Sequence, residues 1–566
     1  MPHTPTAPNP APQPTPRDVW EQTYPESIRA YEVDPDRVSG ALHALCEQGS
    51  AVHGDKVALS FILPQGAQTS LSFREVDALS TQLARYFVHE AGMQAGDVVA
   101  IQLPNSLHHA ITAFAAWKAG LIVTNVNPLY TPREVLHQLR DSSAQILVAS
   151  DLFAPPAHAA ASDLGIPVLL TSLADFFEPA AAGFIRQLLA QSAPAAPDFA
   201  HVRFTDALAR GMAHDGLPDR AHPVALYQYT GGTTGLSKGA VITHRQMLTV
   251  LAQTQDYLRA FDVRMGADDT VLTVIPMYHI FAFALNFLLF YKLGARNVLV
   301  PNPRPLSNVR AAFEFCDVTW MTGVDTLYAG LLNEPWFKDV PRSLKFAISG
   351  GTALRPSTAR QWEDTVCPIV EGYGLTETCC VVAFNPPGPK MKIGTVGLPV
   401  PGLGVRIVGA EGRDVDIGEP GELWVRGDSV IQAYLNRPDE SASAFEGGWF
   451  KTGDVVAMDP EGYIRIVDRK KDMINVSGFN VYPNEVEAVI AALPAVAEVA
   501  VVGVTTDDAV EVVKAVIVRK DAALTADAVL AHCRGELTAY KVPRIVEFVD
   551  GLPKSPVGKI LRNQLR

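Results

Sequence analysis

The sequence has no cysteine framework, no membrane-length apolar run and no excess of positive charge. Its six cysteines, Cys46, Cys316, Cys367, Cys379, Cys380 and Cys533, are scattered over 566 residues. Only Cys379 and Cys380 are neighbours, and adjacency is not metal-ligand spacing. No zinc site or disulfide scaffold emerges, so a reducing cytoplasm fits the cysteine usage. A net charge of -13 argues against nucleic acid as a partner. The longest apolar run, 280–291, is interrupted by Asn286 and falls well short of the ~20 residues of a transmembrane helix. It reads as a buried helix, with a membrane-touching patch as the alternative. The N-terminus lacks the apolar stretch of a signal peptide. Residues 1–20 open on a Pro-, Thr- and Ala-rich run and read as a disordered tail. No internal repeat is visible.

The length requires two or more domains. Residues 71–76 read as a strand running into a helix, with Ser72 as N-cap and Glu75 as its capping-box partner. Segments 97–103, 121–126 and 144–149 read as core strands, with Asn105 and Ser106 capping a helix that runs to Ala119. Strands alternating with helices predict a parallel sheet covered on both faces. Residues 151–222 are rich in Ala and Pro, and part of them reads as a helical excursion or surface loop. Past residue 468 the alternation becomes that of a compact α+β unit, with strands at 496–504, 512–518 and 545–549 and a helix at 526–537. The charged run 466–474 reads as a solvated connector.

The most informative stretch is Tyr229-Thr230-Gly231-Gly232-Thr233-Thr234-Gly235-Leu236-Ser237-Lys238-Gly239. Glycines let a backbone turn sharply and bring its N–H groups against an anion. Threonine hydroxyls add donors, and a lysine adds a mobile positive charge. The stretch reads as a loop that wraps a polyphosphate; an ordinary Gly/Thr turn is the bland alternative. The Walker loop fails on spacing, because Leu236 and Ser237 separate Gly235 from Lys238. A second cluster is Glu371-Gly372-Tyr373-Gly374-Leu375-Thr376-Glu377. An aromatic between glycines can stack on a purine, Thr376 can donate to a phosphate, and Glu377 can hold Mg²⁺. Gly350-Gly351-Thr352 ends a strand with flat backbone suited to an adenine ring, or to a tight turn. Asp454, at a loop end after Gly453, can accept both hydroxyls of a ribose.

These blocks, in this order, resemble the adenylate-forming enzymes: acyl-CoA synthetases, luciferases and peptide-synthetase adenylation domains. The Tyr-Thr-Gly-Gly-Thr-Thr-Gly form is similar to that of bacterial long-chain fatty acyl-CoA ligases. The common family loop has Ser where Gly231 stands and Pro where Ser237 stands.

The resemblance implies an α/β chain: a large N-terminal region, 21–468, with parallel-rich sheets flanked by helices, plus a small mobile α+β C-terminal domain, 469–566. It implies that His279 lines the carboxylate end of an acyl pocket and that Gly323 leaves room for a long chain. Arg469 becomes the basic partner of Asp454 on the ribose, Lys471 the hinge, and Gly478 the glycine beside the pantetheine tunnel. Lys559 becomes the closing lysine that reaches the acyl carboxylate and the α-phosphate.

The implied reaction has two steps. A fatty acid carboxylate attacks ATP to give acyl-AMP and pyrophosphate, and the thiol of coenzyme A then displaces AMP. Thr230, Thr234, Lys238, Glu377 with Mg²⁺, and Lys559 share the charge neutralisation. An aryl or medium-chain acid ligase is the nearest alternative. A peptide-type adenylation domain lacks support, because no carrier segment follows Lys559 in this sequence. A non-catalytic nucleotide- or lipid-binding protein conflicts with the presence of Glu377 and Lys559. Peripheral contact with the inner face of a membrane, and a homodimer, stay open.

Overall fold

The computed structural model describes residues 16–192, 199–219, 221–230, 237–339, 343–476, 479–505, 511–555 and 558–566. Two large sheets form the body. The seven-stranded sheet runs, edge to edge, Val202–Arg203, Val168–Thr171, Ala144–Ser150, Val98–Gln102, Ile122–Asn125, Val224–Thr230 and Lys238–Thr243. All its pairings are parallel except the last, a hairpin. The nine-stranded sheet is parallel from Val57–Ile62 through Arg296–Leu299, Thr270–Thr273, Trp320–Gly323 and Phe346–Ser349 to Ile369–Tyr373. Antiparallel strands close both of its edges.

Two helices share one continuous core with strand residues of both sheets. Leu107–Lys118 is buried along all twelve residues, so its sequence shows no amphipathic stripe. The predicted apolar helix is Ala282–Leu289, fully buried and wound as a π-helix. Phe287 packs edge-on against Phe114 at 5.0 Å. Burial on every side is what a helix hydrophobic all round requires, and it is the reading preferred over a membrane-touching patch.

Asn105 departs from its expected role. It caps no helix, and Ser106 stands at the N-cap position without a side-chain cap bond. Instead the buried Asn105 amide bolts the two sheets together. Its Nδ2 points at the carbonyls of Thr273 (3.2 Å), Ile275 (3.0 Å) and Val300 (3.2 Å). Its Oδ1 accepts from Met277 N at 2.7 Å. Ser72 and Glu75 do form the expected capping box ahead of Phe73–Arg85.

Three other expectations are corrected. Residues 16–20 are not tail: Pro16–Thr23 is a helix, and Trp20 is buried where Gly462 leaves room for it. A Cβ on Gly462 would stand 2.4 Å from the Trp20 Cβ. Residues 151–222 are more than a helical excursion or surface loop. They supply two strands of the seven-stranded sheet and the helices Ala154–Leu164, Pro179–Ser192 and Phe204–Met212. Those strands are only four and two residues long, too short to stand out between Ala-rich helices. The run 466–474 is not wholly a solvated connector. Ile464–Arg469 is a strand paired with Trp449–Met458, and Asp468 is fully buried. Asp468 meets that burial by accepting from Arg469 N (2.7 Å) and Asn484 N (2.8 Å).

Beyond this strand a separate core is drawn wholly from residues 474 onward. It joins the sheet Val496–Thr505, Glu511–Arg519 and Ile545–Val549 to the helices Pro483–Ala491 and Ala526–Glu536.

Replacing Asn105 with Ala would take a donor from the Ile275 and Val300 carbonyls and the acceptor from the Met277 N–H, while the Thr273 carbonyl keeps Val300 N. Each such group costs about 1–3 kcal/mol. The expected outcome is a loss of about 3 kcal/mol or more, read as a lower urea midpoint at unchanged slope.

Candidate active site

The polyphosphate-loop stretch begins and ends on the antiparallel strands Val224–Thr230 and Lys238–Thr243, with Thr230 opposite Lys238 and Tyr229 opposite Gly239. Gly231, Gly232, Thr233, Thr234 and Gly235 lie outside the described residues. The hairpin is fixed from below by a buried polar relay. His109 Nε2 meets Asn125 Oδ1 (3.0 Å), Asn125 Nδ2 donates to Gln228 Oε1 (3.1 Å), and Gln228 Nε2 donates to the Tyr278 carbonyl (2.9 Å). Burial holds His109 neutral, with its pKa lowered to about 4. The relay ends beside His279, whose segment Asn105 grips from the other side.

Residues 433–435 lie along the outer strand of the hairpin. Val241 N donates to Ala433 O (3.2 Å) and Leu435 N to Gly239 O (2.8 Å). This puts the Tyr434 ring 5.5 Å from the Lys238 ammonium, a cation–π distance. The Tyr434 hydroxyl donates to Glu377 Oε1 at 2.7 Å. Lys238 and Glu377, 139 positions apart in the sequence, thus face one another across a single tyrosine. Desolvation raises the Glu377 pKa, and the Tyr434 hydrogen bond opposes that rise. Thr376 and Glu377 begin the short 3₁₀ turn Thr376–Thr378, which Cys379 leaves at φ +54°.

Glu371, Gly372 and Tyr373 end the strand Ile369–Tyr373, beside Gly350 at the end of Phe346–Ser349. Gly374 has to be glycine, since a Cβ there would sit 1.5 Å from the Cys380 carbonyl oxygen. A Cβ on Gly350 would meet the Phe281 ring at 3.3 Å and the Gly372 oxygen at 3.4 Å. Gly351 turns at φ +77° ahead of Thr352, which is half-buried. Glu371 is buried and accepts from Leu354 N at 3.2 Å. Desolvation, helped by the nearby Asp325 charge, pushes its carboxyl up to about 8 against the Leu354 bond. Tyr373 donates its hydroxyl to Asp454 Oδ2 at 2.5 Å, and Arg469 Nε lies 3.1 Å from Asp454 Oδ1. Asp454 and Arg469 are register partners on adjacent strands. A cavity of about 340 Å³ opens there, lined by Thr452, Gly453, Asp454, Arg469, Lys470 and Lys471.

The C-terminal tip reaches the same place. Ser555 holds the Lys559 turn, accepting from Lys559 N through Oγ (3.1 Å) and donating its own N–H to Lys559 O (2.7 Å). A Cβ on Gly558 would lie 3.4 Å from Thr326 Oγ1 and 3.5 Å from Val324 Cγ2, so the tip is packed on the large region. Burial, then the charge of Arg469, lowers the Lys559 ammonium to about 8; Asp454 opposes and Lys471 adds to the fall. Burial, then the Lys559 charge, lowers His279 to about 4, leaving it a neutral imidazole at pH 7. Desolvation also lowers Lys471. Gly478 lies outside the described residues.

Residues 46–435 match the model of the AMP-binding enzyme family, and residues 485–559 match that of the AMP-binding enzyme C-terminal domain. The chain belongs to the AMP-binding enzyme family. It is 42% identical to a long-chain-fatty-acid–CoA ligase of Yersinia pestis over 97% of each chain. Among solved structures it is similar to ATP-bound MatB from Rhodopseudomonas palustris, at 29% identity and a TM-score of 0.79, covering 93% of this chain and 98% of that one. Apo MatB, with the same identity and coverage, gives a TM-score of 0.70.

In this AMP-binding enzyme, sequence reasoning missed Tyr434, Gln228, Asn125 and Val324–Thr326, which carry no motif of their own. Gly323 is also reinterpreted. A Cβ there would sit 2.7 Å from the Tyr328 ring, so the glycine makes room for Tyr328.

Glu371 supplies a pH test. Its folded pKa of about 8 stands above the ordinary 4.5, so its contribution to stability is full below pH 4.5 and is lost as pH rises through 8. Glu371→Gln cannot titrate. It is expected to match the parent's urea midpoint at pH 4.5 and to exceed it at pH 9.

Proposed function

We propose that this chain is a long-chain fatty acid–CoA ligase, which forms a carbon–sulfur bond by way of an acyl-adenylate. The observation that carries the reading is the convergence of the Lys559 tip, His279, the Asp454–Arg469 pair and the Lys238–Tyr434–Glu377 line on one cleft. The near full-length likeness to a long-chain-fatty-acid–CoA ligase supports the substrate class.

In the first half-reaction, a fatty acid carboxylate attacks the α-phosphorus of ATP and pyrophosphate leaves. Phosphoryl chemistry of this kind needs positioning and charge neutralisation more than covalent help. Thr230, Lys238 and the loop residues Gly231, Gly232, Thr233, Thr234 and Gly235 bind the triphosphate. Gly350, Gly351, Thr352, Glu371, Gly372, Tyr373 and Gly374 form the wall for adenine. Asp454, with Arg469, takes the ribose; a carboxylate has lone pairs beyond the two bonds already made.

Glu377 fits Mg²⁺. It is a desolvated carboxylate with a raised pKa, and among the described residues no group of three or more His, Cys, Asp or Glu forms a protein cage. Mg²⁺ takes most of its ligands from water and phosphates. When bound, it neutralises charge on the triphosphate. Lys559 carries the positive charge to the carboxylate and α-phosphate, beside a neutral His279 that does not compete for the proton. Thr376 donates to the same phosphate.

In the second half-reaction the C-terminal unit, 469–566, turns on Lys471, withdraws Lys559 and brings Gly478 beside coenzyme A. The separate core from residue 474 onward supports movement as a unit. The higher TM-score with ATP-bound than with apo MatB supports the adenylate-forming arrangement. No helix among the described residues is long and apolar enough to cross a membrane. The enzyme works in the cytoplasm, with peripheral membrane contact and homodimer formation as parts of the proposal that vesicle flotation and sedimentation address.

Lys559→Ala is expected to slow acyl-AMP formation by about 10²–10³-fold while thioester formation from supplied acyl-AMP stays near the parental rate. Equal loss of both halves overturns the assigned role. In the unmodified enzyme kcat/KM, which reports the free enzyme, falls as pH rises through about 8 because the Lys559 charge is lost. Lys559→Arg removes that limb. Pyrophosphate release over acids of increasing length tests the substrate class, and a preference for benzoates or medium chains overturns it.

A further inference from the structure

The helix Pro132–Asp141 ends on an acid. A carboxylate is disfavoured at the negative end of a helix dipole, and this side chain is only 10% exposed. Its partners explain its place. Tyr229 donates its hydroxyl to Asp141 Oδ2 at 2.7 Å. Arg437 Nη1 lies 3.2 Å from Asp141 Oδ1. The Asp141 carbonyl accepts from Asn436 Nδ2 at 2.8 Å. That last bond anchors a residue at φ +54°, a left-handed conformation that asparagine tolerates better than most side chains.

These partners lie on the two segments that build the cleft. Tyr229 immediately precedes Thr230 on the inner strand of the hairpin. Asn436 and Arg437 follow Tyr434, which bridges Lys238 and Glu377. The two segments touch at Gly239, where a Cβ would be 3.1 Å from the Tyr229 ring and 3.4 Å from Leu435 Cβ. The same helix places His137 Nε2 at 3.2 Å from the Ser237 carbonyl, one residue before Lys238. One largely enclosed carboxylate therefore ties the hairpin to the segment that lies on it.

We propose that Asp141 is a positioning residue for acyl-adenylate formation: it clamps the hairpin to residues 433–437, so that Lys238 and Glu377 keep their spacing across Tyr434. The inference rests on the ligase reading above. It predicts an effect confined to the half-reaction that uses the triphosphate. The step in which thiol displaces AMP does not need that spacing.

The test compares the full-length enzyme with Asp141→Asn, Arg437→Gln and Tyr229→Phe. Pyrophosphate release is followed with ATP, Mg²⁺ and palmitate, and thioester formation with supplied palmitoyl-AMP and coenzyme A. Asp141→Asn is expected to lower kcat for pyrophosphate release by about 10–100-fold, the scale of a small misplacement of reacting groups. Thioester formation should stay within about twofold by the same reasoning. Arg437→Gln and Tyr229→Phe, each removing one tie, should show the same split with smaller factors. They carry the test if Asp141→Asn does not fold. Unchanged pyrophosphate release in all three variants overturns the proposal. So does a parallel loss of both half-reactions that tracks a lower thermal midpoint. No pyrophosphate release from the unmodified enzyme with any acid sinks the ligase reading itself.

Discussion

The structure is organised around the cost of bringing an ammonium into a cleft that already holds two cations. Lys559 stands where Arg469 and Lys471 repel it, with Asp454 and Asp472 as the opposing carboxylates. Among the described residues it forms no ion pair. Burial without a close partner favours the neutral amine, which is why its pKa falls. The tip is kept there by van der Waals contact of the Gly558 turn with Val324 and Thr326 and by the Ser555 bonds. An anion arriving in the cleft reverses the balance, because the same low-dielectric setting that penalises a lone ammonium strengthens a paired one. A negatively charged ligand would meet Lys559, Arg469 and Lys471 there, set against Asp454 and Asp472.

Such a balance needs walls that do not shift. They are held by amides and carboxylates set between elements. Asn105 joins the ends of the two sheets, the His109–Asn125–Gln228 relay reaches under the hairpin, and Asp468 caps the start of the C-terminal unit through Asn484. Asn105, Asn125, Gln228 and Asp468 are each satisfied in at least two directions, whereas His109 ends the relay with the Asn125 bond alone. A buried network left half-satisfied would destabilise the fold rather than direct it. These residues carry the site's geometry without forming its surface.

How much of this was legible follows from where the information sits. What a short motif or a strand pairing fixes could be read: Ser72 and Glu75 form the expected capping box, and Arg469 pairs with Asp454. Periodicity gave the strands at 98–102, 122–125 and 144–150 almost to the residue. Asn105 was read wrongly because a polar residue before a helix usually caps it, and its four real partners are at least 168 positions away. Tyr434 and Asp141 left no local trace, since their roles exist only once distant segments meet. Gly323 misled for a related reason: the absence of a side chain says that something comes close, not what. Residues 151–222 hid short strands beside the Ala-rich helices Ala154–Leu164 and Pro179–Ser192, which have no sharp apolar stripe.

The buried Trp20 has a consequence for how the chain is made. The helix that carries it packs against Gly462, and Thr23 hydrogen-bonds to the carbonyl of Glu461, a partner 438 residues away. At about 5–20 residues per second, that partner is synthesised roughly 20–90 s after the helix. Through most of translation the first helix therefore lacks these two native partners.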